Sequence, residues 1–374
     1  MVSRVGIKCG VVGAGQWMRS ALLPALRSQV GTTVVACAAG SLAEAEDLKR
    51  TAGIGRAYSC IEEMLAGEPG LDVAVIATPD HVHAEGVTRF LEAGVPVYCE
   101  KPLANDGPSA HRLVALGERA GTAATVGFSF RFNPAIQALR RDLLDGLLGE
   151  IWLIELAEHN PQFHPESGKP LNWKGDPAQA GGGALFEYGS HVIDMAAWLA
   201  GPIRRVSSSL KRVLPGARLD DIATLQMEFE SGATGLLVSS WVLTGGFPGI
   251  RIRLHGSKGL GEVWVDDRIG GGQRYRLSPA TGRIGEDRQL TAMRELRSDA
   301  ARRHIGDFLT LIRGEDPEHG DTLPTLRQAA HVQDVLEAAL AATGSWQDVG
   351  VTQKHKNTTS EDRNNENYQA RTQA

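Results

Sequence analysis

The stretch EYGSHVID, from Glu187 to Asp194, places two carboxylates, a tyrosine and a histidine directly after three glycines. Glu187 and His191 are four residues apart, so on a helix both side chains project from one face. A histidine, with an ordinary pKa of about 6.5, can accept a proton near neutral pH, and a carboxylate one turn away can orient it and stabilise its charged form. This spacing favours an acid–base pair; a structural histidine and a helix-terminal carboxylate are the alternatives.

Three neighbouring features affect how this pair would work. Asp194 lies three residues beyond His191, so its carboxylate is open either to a structural hydrogen bond or to a substrate hydroxyl. The glycines at 181–183 would allow the backbone to approach a pocket closely. The pair Asp220-Asp221, before a long strand pattern, could add another polar contact to the pocket, but it is interpreted as a solvated turn.

A glycine turn near the N-terminus indicates a dinucleotide site. In GVVGAGQWM, two glycines stand between an apolar strand pattern and an apolar helical pattern. The first permits the tight bend, and the second lets a pyrophosphate approach the backbone. Met18 replaces the third small residue of the fingerprint. We expect the cofactor to contact Gly13, Gly15, Gln16 and Trp17.

The end of the second predicted strand affects the choice of nicotinamide cofactor. NAD-type domains usually carry an acidic residue about 20 residues after the glycine turn, which holds the adenosine ribose hydroxyls. Here the strand ends in Ala38-Ala39-Gly40-Ser41, without a carboxylate. Ser41 and the backbone could bond to a 2′-phosphate, but no arginine stands alongside. The cofactor is therefore expected to be NAD or NADP, with a slight preference for NADP.

The patterns around these residues predict two domains and a tail. Residues 1–127 alternate helical segments with β-rich runs such as VGIKCGVVG, TTVVACAA, LDVAVIAT and VPVYCE, which is typical of a parallel sheet with crossover helices. Residues 128–351 contain longer strands joined by glycine turns, which predict an α+β domain with a large, mainly antiparallel open sheet. Its last helices are expected to pack back on the first domain. Residues 352–374 contain no Leu, Ile, Val, Phe or Met, and we predict a disordered polar tail.

Composition limits the classes of partner. Of 374 residues, 42% are hydrophobic and 22% are charged, with a formal net charge of −5, so there is no basic surplus to hold nucleic acid. No apolar run approaches the roughly 20 residues that span a bilayer, and the N-terminus lacks a signal-peptide pattern. We expect a cytoplasmic protein without membrane attachment. His81 and His83 form an H-x-H pair that could hold zinc, but on a dinucleotide-binding loop we expect no metal.

Four segments together resemble the Gfo/Idh/MocA oxidoreductases, the family of glucose-fructose oxidoreductase and inositol dehydrogenase. They are IATPDHVHAEGV, GVPVYCEKPLA, SFRFNPAI and NWKGDPAQAGGGALFEYGSHVIDMAAWLAG. The likeness runs from about residue 5 to about residue 345, in one order and at similar spacing. It implies an N-terminal Rossmann domain that binds NAD(P). It also implies a C-terminal domain whose open sheet covers a sugar site and mediates formation of a homodimer or homotetramer.

The resemblance also implies roles for individual residues. The nicotinamide-ribose end of the cofactor would be lined by Thr78, Pro79 and His83, and the EKP triplet would be Glu100, Lys101 and Pro102. Lys101 would meet both cofactor and substrate, and Asn133 and Trp173 would border the pocket. Three positions depart from the family pattern: Asp80 replaces the asparagine of T-P-N, Lys174 replaces the arginine of a W-R pair, and Glu187 replaces an aspartate.

These residues suit hydride transfer between nicotinamide and a secondary hydroxyl or keto carbon of a sugar, sugar derivative or cyclitol. His191 would take the hydroxyl proton, Lys101 would steady the developing alkoxide, and Glu187 would orient His191. Asn133, Trp173 and Asp194 are the expected substrate contacts. Two alternatives remain open: a glycosidase that keeps NAD bound and uses transient oxidation, and a non-catalytic cofactor or sugar sensor.

Overall fold

Two sheets form the framework of the protein, one parallel and one mainly antiparallel. The computed structural model describes residues 6–171, 173–243, 249–266, 272–281, 287–292 and 296–350. The predicted polar tail at 352–374 lies outside the described residues. The predicted fold class, a Rossmann domain followed by an α+β domain with a large open sheet, is confirmed.

The first sheet contains six parallel strands: β1 (Ile7–Val12), β2 (Thr32–Ala38), β3 (Arg56–Tyr58), β4 (Val73–Ile76), β5 (Val97–Cys99) and β6 (Ala124–Val126). Their order is β3-β2-β1-β4-β5-β6. All residues of β4 and most of β1 are buried, as expected for strands covered by helices on both faces. Because the chain runs outward in both directions from β1 and β4, a ligand crevice belongs beyond the carboxyl ends of these two strands.

Helices connect these strands: α1 (Leu23–Arg27), α2 (Leu42–Ala52), α3 (Ile61–Gly67), α4 (His83–Glu92) and α5 (Gly107–Ala120). Their ends follow from local chemistry. Helix α2 begins after Ser41, whose side chain accepts a hydrogen bond from the Glu44 amide, and ends at Gly53 with a φ of 60°. Helix α5 likewise begins after Asp106 and ends at Gly121 with a φ of 61°. Capping side chains at the start and left-handed glycines at the end are typical helix boundaries.

The second sheet contains β7 (Ile151–His159), β8 (Ile203–Lys211), β9 (Ile222–Phe229), β10 (Thr234–Ser240), β11 (Gly249–Gly256), β12 (Gly259–Asp266), β13 (Gly272–Pro279), β14 (Asp287–Ala292) and β15 (Trp346–Asp348). Their order is β14-β13-β12-β11-β7-β10-β9-β8-β15. Only the β7–β10 pair among the described strands of this sheet is parallel. In β9, buried residues alternate with exposed or half-buried ones, so one sheet face packs inward and the other is open.

The remaining helices are α6 (Pro134–Leu144), α7 (Ser190–Ala200), α8 (Leu296–Ile312) and α9 (Leu326–Ala341). Helices α6, α7 and α9 pack against the inner face of the second sheet. Helix α8 packs back on the first domain, where Ile305, Phe308 and Leu309 share a hydrophobic cluster with Leu22 and Val75. No helix in the described ranges combines the length and apolar character needed to cross a bilayer.

Candidate active site

A cleft of about 1250 Å³ opens beyond the carboxyl ends of β1 and β4. The first domain contributes one wall, with residues 13–17, 77–82, 100 and 101; the second domain contributes the other, with Trp173, Glu187 and His191 among its residues. Small-molecule pockets are commonly about 300–1,000 Å³. This cleft therefore has room for a dinucleotide and a sugar together.

The glycine turn fits a cofactor that approaches the backbone. A Cβ on Gly13, which has a φ of 105°, would lie 2.2 Å from the Ala77 backbone oxygen, so no other residue fits there. A Cβ on Gly15 would meet nothing within 4 Å. Gly15 therefore presents open backbone to the cleft, which is what a pyrophosphate requires. Met18 is fully buried in the core, which explains why a large side chain is tolerated at the third fingerprint position.

Glu100 links the glycine turn to the end of β5. Its Oε1 accepts hydrogen bonds from the Trp17 indole Nε1 at 2.8 Å and from the Tyr98 hydroxyl at 3.1 Å. A Cβ on Gly127 would lie 2.6 Å from Glu100 Oε2, so glycine is required at this approach. Burial raises the pKa of Glu100, although these hydrogen bonds and the Lys101 charge oppose the rise. The carboxyl group thus holds Trp17 against the cleft.

Lys101 reaches from the first domain to the second. Its Nζ donates a hydrogen bond to the backbone oxygen of Glu187 at 2.8 Å and lies 3.4 Å from Glu187 Oε2. Burial lowers the pKa of Lys101, but the negative charges of Glu187, Asp80 and Glu100 raise it, and the net shift is upward. Lys101 therefore stays charged near neutral pH and acts as a hydrogen-bond donor rather than a proton acceptor.

Glu187 lies between two lysines. Its Oε1 accepts a hydrogen bond from Lys174 Nζ at 2.5 Å, while its Oε2 faces Lys101. Burial raises the pKa of this carboxyl, but the charges of Lys101, Lys174 and His191 outweigh burial and hold it well below its usual range. Glu187 is therefore ionised at any pH at which the protein is expected to work.

His191 lies one helical turn after Glu187 and lines the same cleft. Its ring stacks on Phe130 with centroids 4.2 Å apart, and Phe128 approaches edge-on at 6.0 Å. These aromatic contacts fix the plane of the imidazole. The structure thus brings Lys101 from the first domain and His191 from the second to one cavity, as the sequence interpretation requires.

The turn that carries Glu187 is held from behind by Asp220. The carboxylate of Asp220 accepts hydrogen bonds from the amides of Gly183 at 2.9 Å and Leu185 at 2.8 Å. A Cβ on Gly183 would lie 2.0 Å from the Asp220 backbone oxygen, and Cβ atoms on Gly181 and Gly182 would meet the Phe186 ring. The glycines therefore admit Asp220 and Phe186 rather than a ligand. The interpretation of Asp220-Asp221 as a solvated turn is wrong, because both residues are buried.

Most predicted site residues lie on the cleft wall. They are Gly13, Gly15, Gln16, Trp17, Thr78, Pro79, Glu100, Lys101, Trp173, Glu187 and His191. Four others are not among the lining residues: Ser41, His83, Asn133 and Asp194.

The positions of two of these four follow from local structure. Ser41 caps α2, and its hydroxyl oxygen accepts a hydrogen bond from the Glu44 amide at 3.3 Å. His83 is fully buried, and its ring nitrogens lie 2.7 Å from the Pro102 backbone oxygen and 3.0 Å from that of Thr78. His83 thus braces the loops that carry Thr78 and Lys101, behind the cleft wall.

The other two lie behind the wall in the second domain. Asp194 is 1% exposed and accepts two hydrogen bonds from Arg131, at 2.6 and 2.8 Å. Of the two roles that the sequence left open for Asp194, the structure contains the structural hydrogen bond. Asn133 is also 1% exposed and precedes α6. Burial, rather than an unsuitable residue type, keeps both side chains from the cleft.

Two charged residues on the wall had not been assigned a role from the sequence. Lys174 was noted only as a departure from the family pattern, yet it bonds to Glu187. Asp80 was noted in the same way, yet it lines the cleft at the carboxyl end of β4. For Asp80 the signal is a change from a neutral to an acidic residue within a recognisable motif, and for Lys174 it is a change from one cation to another.

Glu44 is a further residue that the sequence interpretation missed. It lines the far end of the cleft, and its Oε2 lies 3.3 Å from the position of a Cβ on Gly40. A carboxylate therefore does lie over the end of β2, supplied by the first turn of α2. The spacing Ser41-x-x-Glu44 is the signal, because a glutamate three residues after a capping serine turns back towards the preceding chain.

Arg19 lies near this carboxylate but is already bonded. It donates to the Ala14 backbone oxygen at 2.9 Å, to Thr51 Oγ1 at 2.6 Å and to Asp47 Oδ2 at 2.8 Å. Among the described residues, no cluster of three or more His, Cys, Asp or Glu side chains is arranged to hold a metal ion.

Comparisons with known proteins agree with this geometry. Residues 7–128 match the oxidoreductase family with an NAD-binding Rossmann fold, and residues 136–261 match the GFO/IDH/MocA C-terminal domain. A D-apiose dehydrogenase of Paraburkholderia graminis is 29% identical over 70% of this chain and 68% of that protein. A myo-inositol dehydrogenase of Streptomyces leeuwenhoekii is 28% identical over 91% of this chain and 95% of that protein.

Solved structures show the same fold. Levoglucosan dehydrogenase, in complex with NADH and levoglucosan, superposes with a TM-score of 0.81 at 22% identity, over 93% of this chain and 100% of that one. The two domain matches together cover more than half of the residues. The chain therefore belongs to the GFO/IDH/MocA family of NAD-binding oxidoreductases.

Proposed function

We propose that the protein transfers a hydride between NAD and a secondary hydroxyl or keto carbon of a sugar, sugar derivative or cyclitol. One observation carries this proposal: Lys101 and His191, from different domains, line one cleft that begins at the glycine turn. The names of the relatives, which act on apiose, inositol and levoglucosan, support the polyol class.

Lys101 stabilises the reacting oxygen. Its pKa is raised by neighbouring carboxylates, so it remains an ammonium while the substrate oxygen gains negative charge. Its two contacts with Glu187 hold the ammonium in place, and a fixed donor needs no reorganisation during the reaction. When bound, NAD supplies the acceptor or donor of the hydride at its nicotinamide ring.

His191 exchanges a proton with the reacting hydroxyl group. In the oxidative direction its imidazole accepts the hydroxyl proton, and in the reductive direction the imidazolium returns it. Glu187, whose oxygens contact Lys174 and Lys101, acts on His191 through its charge, because an ionised carboxylate one turn away favours the imidazolium. The stacking of His191 on Phe130 limits rotation of the ring.

The test is a panel of polyols and keto sugars with each nicotinamide cofactor, followed by absorbance of the reduced nicotinamide. Lys101→Ala and His191→Ala should each lower turnover by at least about a hundredfold, with NADH binding largely retained. Lys211→Ala, at an exposed position on β8, is the matched control and should be unaffected. Near-normal turnover in either cleft variant would remove that residue from the mechanism.

Two outcomes of this panel would support the alternatives instead. Cofactor that stays bound through gel filtration, with cleavage of a glycoside but no net turnover of added NAD, would indicate a glycosidase. Binding of cofactor and sugar without any hydride transfer would indicate a sensor.

We infer that NAD is preferred over NADP. Glu44 provides a carboxylate over the end of β2, where it can accept hydrogen bonds from ribose hydroxyls and would repel a 2′-phosphate. Arg19, the nearby cation on the wall, donates to three protein oxygens. The preference for NADP expected from the sequence rested on the absence of a carboxylate at this strand end.

We also propose that the protein is a homodimer or homotetramer that associates through the open face of the second sheet. Leu236 is 39% exposed on this face. On neighbouring strands, Arg253 bonds to Glu155 at 3.1 Å and to Glu262 at 3.0 Å. An apolar side chain beside a row of paired opposite charges can contact the same surface of a second copy, as a two-fold interface requires. Light scattering after gel filtration tests this, and Leu236→Arg should lower the mass to that of a single chain.

A further inference from the structure

Asp80 is a buried carboxyl group that faces the cleft. It begins a short 3-10 turn, Asp80–Val82, immediately after Thr78 and Pro79 at the carboxyl end of β4. Its side chain lines the cleft, and the residue is only 8% exposed. Its carboxylate is therefore largely buried yet open to the cleft, where water or a ligand group can donate to it.

The charged groups around Asp80 limit what could satisfy it. Lys101, Glu187, Lys174 and His81 all act on it electrostatically. Lys101 donates to the Glu187 backbone oxygen and lies 3.4 Å from its Oε2, and Lys174 donates to its Oε1, so both lysines contact the other carboxylate of the cleft. Glu187 and Lys174 belong to the second domain, so Asp80 faces the space between the two domains.

This arrangement favours one class of ligand group. A ligand with an ammonium group would be repelled by the two lysines. A ligand with a phosphate or carboxylate group would be repelled by the two carboxyl groups, those of Asp80 and Glu187. A neutral hydroxyl meets neither repulsion, and a carboxylate has two oxygens that can accept from a vicinal pair of hydroxyls. Burial removes competing water and strengthens such bonds.

We propose that Asp80 is a specificity-determining residue that binds a pair of hydroxyl groups on a sugar ring in the cleft. This rests on the proposed function, because it assumes that the cleft holds cofactor and polyol together. Two sources supply this chemistry: the polyol substrate and the nicotinamide-side ribose of NAD. The second-domain neighbours of Asp80 favour the substrate, and the test separates the two.

The test compares wild-type protein with Asp80→Asn, which keeps the shape of the side chain, and with Asp80→Ala. NADH is titrated by its fluorescence, without substrate. Then myo-inositol, levoglucosan and D-apiose are assayed, both by turnover and by calorimetric titration into NADH-saturated protein. Asp316→Asn, at an exposed position, is the control for loss of one negative charge.

If the substrate supplies the hydroxyls, Asp80→Ala should raise the KM or Kd of the polyol by at least about tenfold, the usual effect of losing a hydrogen bond to a charged group. The Kd of NADH should then change by less than about twofold, and kcat should fall less than the polyol affinity does. If the ribose supplies them, the Kd of NADH itself should rise by at least about tenfold.

Equal affinities of wild type and both variants for NADH and for every polyol would overturn the proposal. Failure of the proposed function looks different, because wild-type protein would then bind NADH without turning over any polyol. The NADH titration does not depend on turnover, so the two results can be distinguished.

Discussion

Asp80→Asn should stabilise the cofactor-free protein, and the gain should increase as the pH rises. In the absence of ligand, Asp80 is 8% exposed on the wall of the cleft. Ionising such a group is costly. Asparagine has nearly the shape of protonated aspartic acid but cannot ionise, so the pH-dependent part of the difference between the two proteins reports the cost of the charge alone.

The size of the expected stabilisation follows from the shift in the pKa of Asp80. Burial, and then the charge of Glu187, raise the pKa of Asp80 from 3.8 to about 7, against the opposing charges of Lys101, Lys174 and His81. Each pK unit corresponds to about 1.4 kcal/mol. The ionised form of Asp80 therefore costs the folded protein about 4 kcal/mol once the pH is above the folded pKa.

The direction of the pH dependence of stability follows from whether Asp80 loses its proton at a lower pH in the unfolded chain or in the folded protein. Below the unfolded pKa of 3.8, both states are protonated and Asp80 contributes nothing. Between that value and about 7, the unfolded chain is ionised while the folded protein keeps the proton, so stability falls as the pH rises. Above about 7 the penalty is constant. Between pH 5 and pH 8 the advantage of Asp80→Asn should therefore grow by about 2 to 3 kcal/mol.

Urea unfolding of both proteins at several pH values between these limits provides the measurement. Other buried groups, such as His304, whose pKa is lowered by burial to about 3, titrate equally in both proteins and cancel in the difference. Asp316→Asn should show a flat difference across the same range. An equally flat difference for Asp80→Asn would refute the reasoning, because Asp80 would then ionise as easily in the folded protein as in the unfolded chain.

Four further substitutions test other parts of the structure. Glu44→Gln should raise the Kd of NADH by about tenfold or more while sparing NADPH, because a carboxylate partner of the ribose is lost; an unchanged NADH-to-NADPH ratio of Kd values would exclude Glu44 from cofactor choice. Asp194→Asn should lower the free energy of unfolding in urea by about 3 to 5 kcal/mol, because it removes the carboxylate that neutralises Arg131 in the core; a loss within the error of a surface substitution would contradict this. Gly183→Ala should lower both stability and turnover because its Cβ would overlap a backbone oxygen, whereas Gly15→Ala, whose Cβ meets nothing, should weaken NADH binding at unchanged stability.

Much of the fold follows from local sequence. The apolar runs around β1, β2 and β4 are long enough to be recognised as parallel strands, and the three-residue β5 lies within the longer run VPVYCE and is fully buried. Strands β3 and β6 are three residues long, and β3 is exposed or half-buried throughout. Such short strands carry no periodic signal, and they form because neighbouring strands supply hydrogen-bonding partners that a local pattern does not contain.

The difference between features with a local sequence pattern and features that depend on distant partners also applies to the site. Lys101 and His191 could be identified because each lies in a local motif at the end of a strand or the start of a helix. The partner of Asp194 could not be identified, because Arg131 is 63 residues away in sequence and comes from a separate turn. Spacing shows that Asp194 and His191 share one part of α7, but it does not show which neighbour packs there. The error about Glu44 has a different cause, because the capping spacing Ser41-x-x-Glu44 is local, but it does not show by itself that the side chain lies over the end of β2.

The ionisation states of the charged groups in the cleft depend on one another. Glu187 is ionised because two lysines lie against it, and its charge in turn helps to keep Lys101 charged and, in the proposed mechanism, available to the reacting oxygen. Both lysines also act on Asp80 through their charges, yet burial still raises its pKa, so in the proposed complex a hydroxyl donor on the ligand would stabilise its ionised form. A charged substrate would disturb this balance, whereas a polyol can bond to Lys101 and Asp80 at once without adding charge. We therefore attribute the proposed preference for an uncharged sugar or cyclitol to how the two lysines are shared, more than to the shape of the cleft.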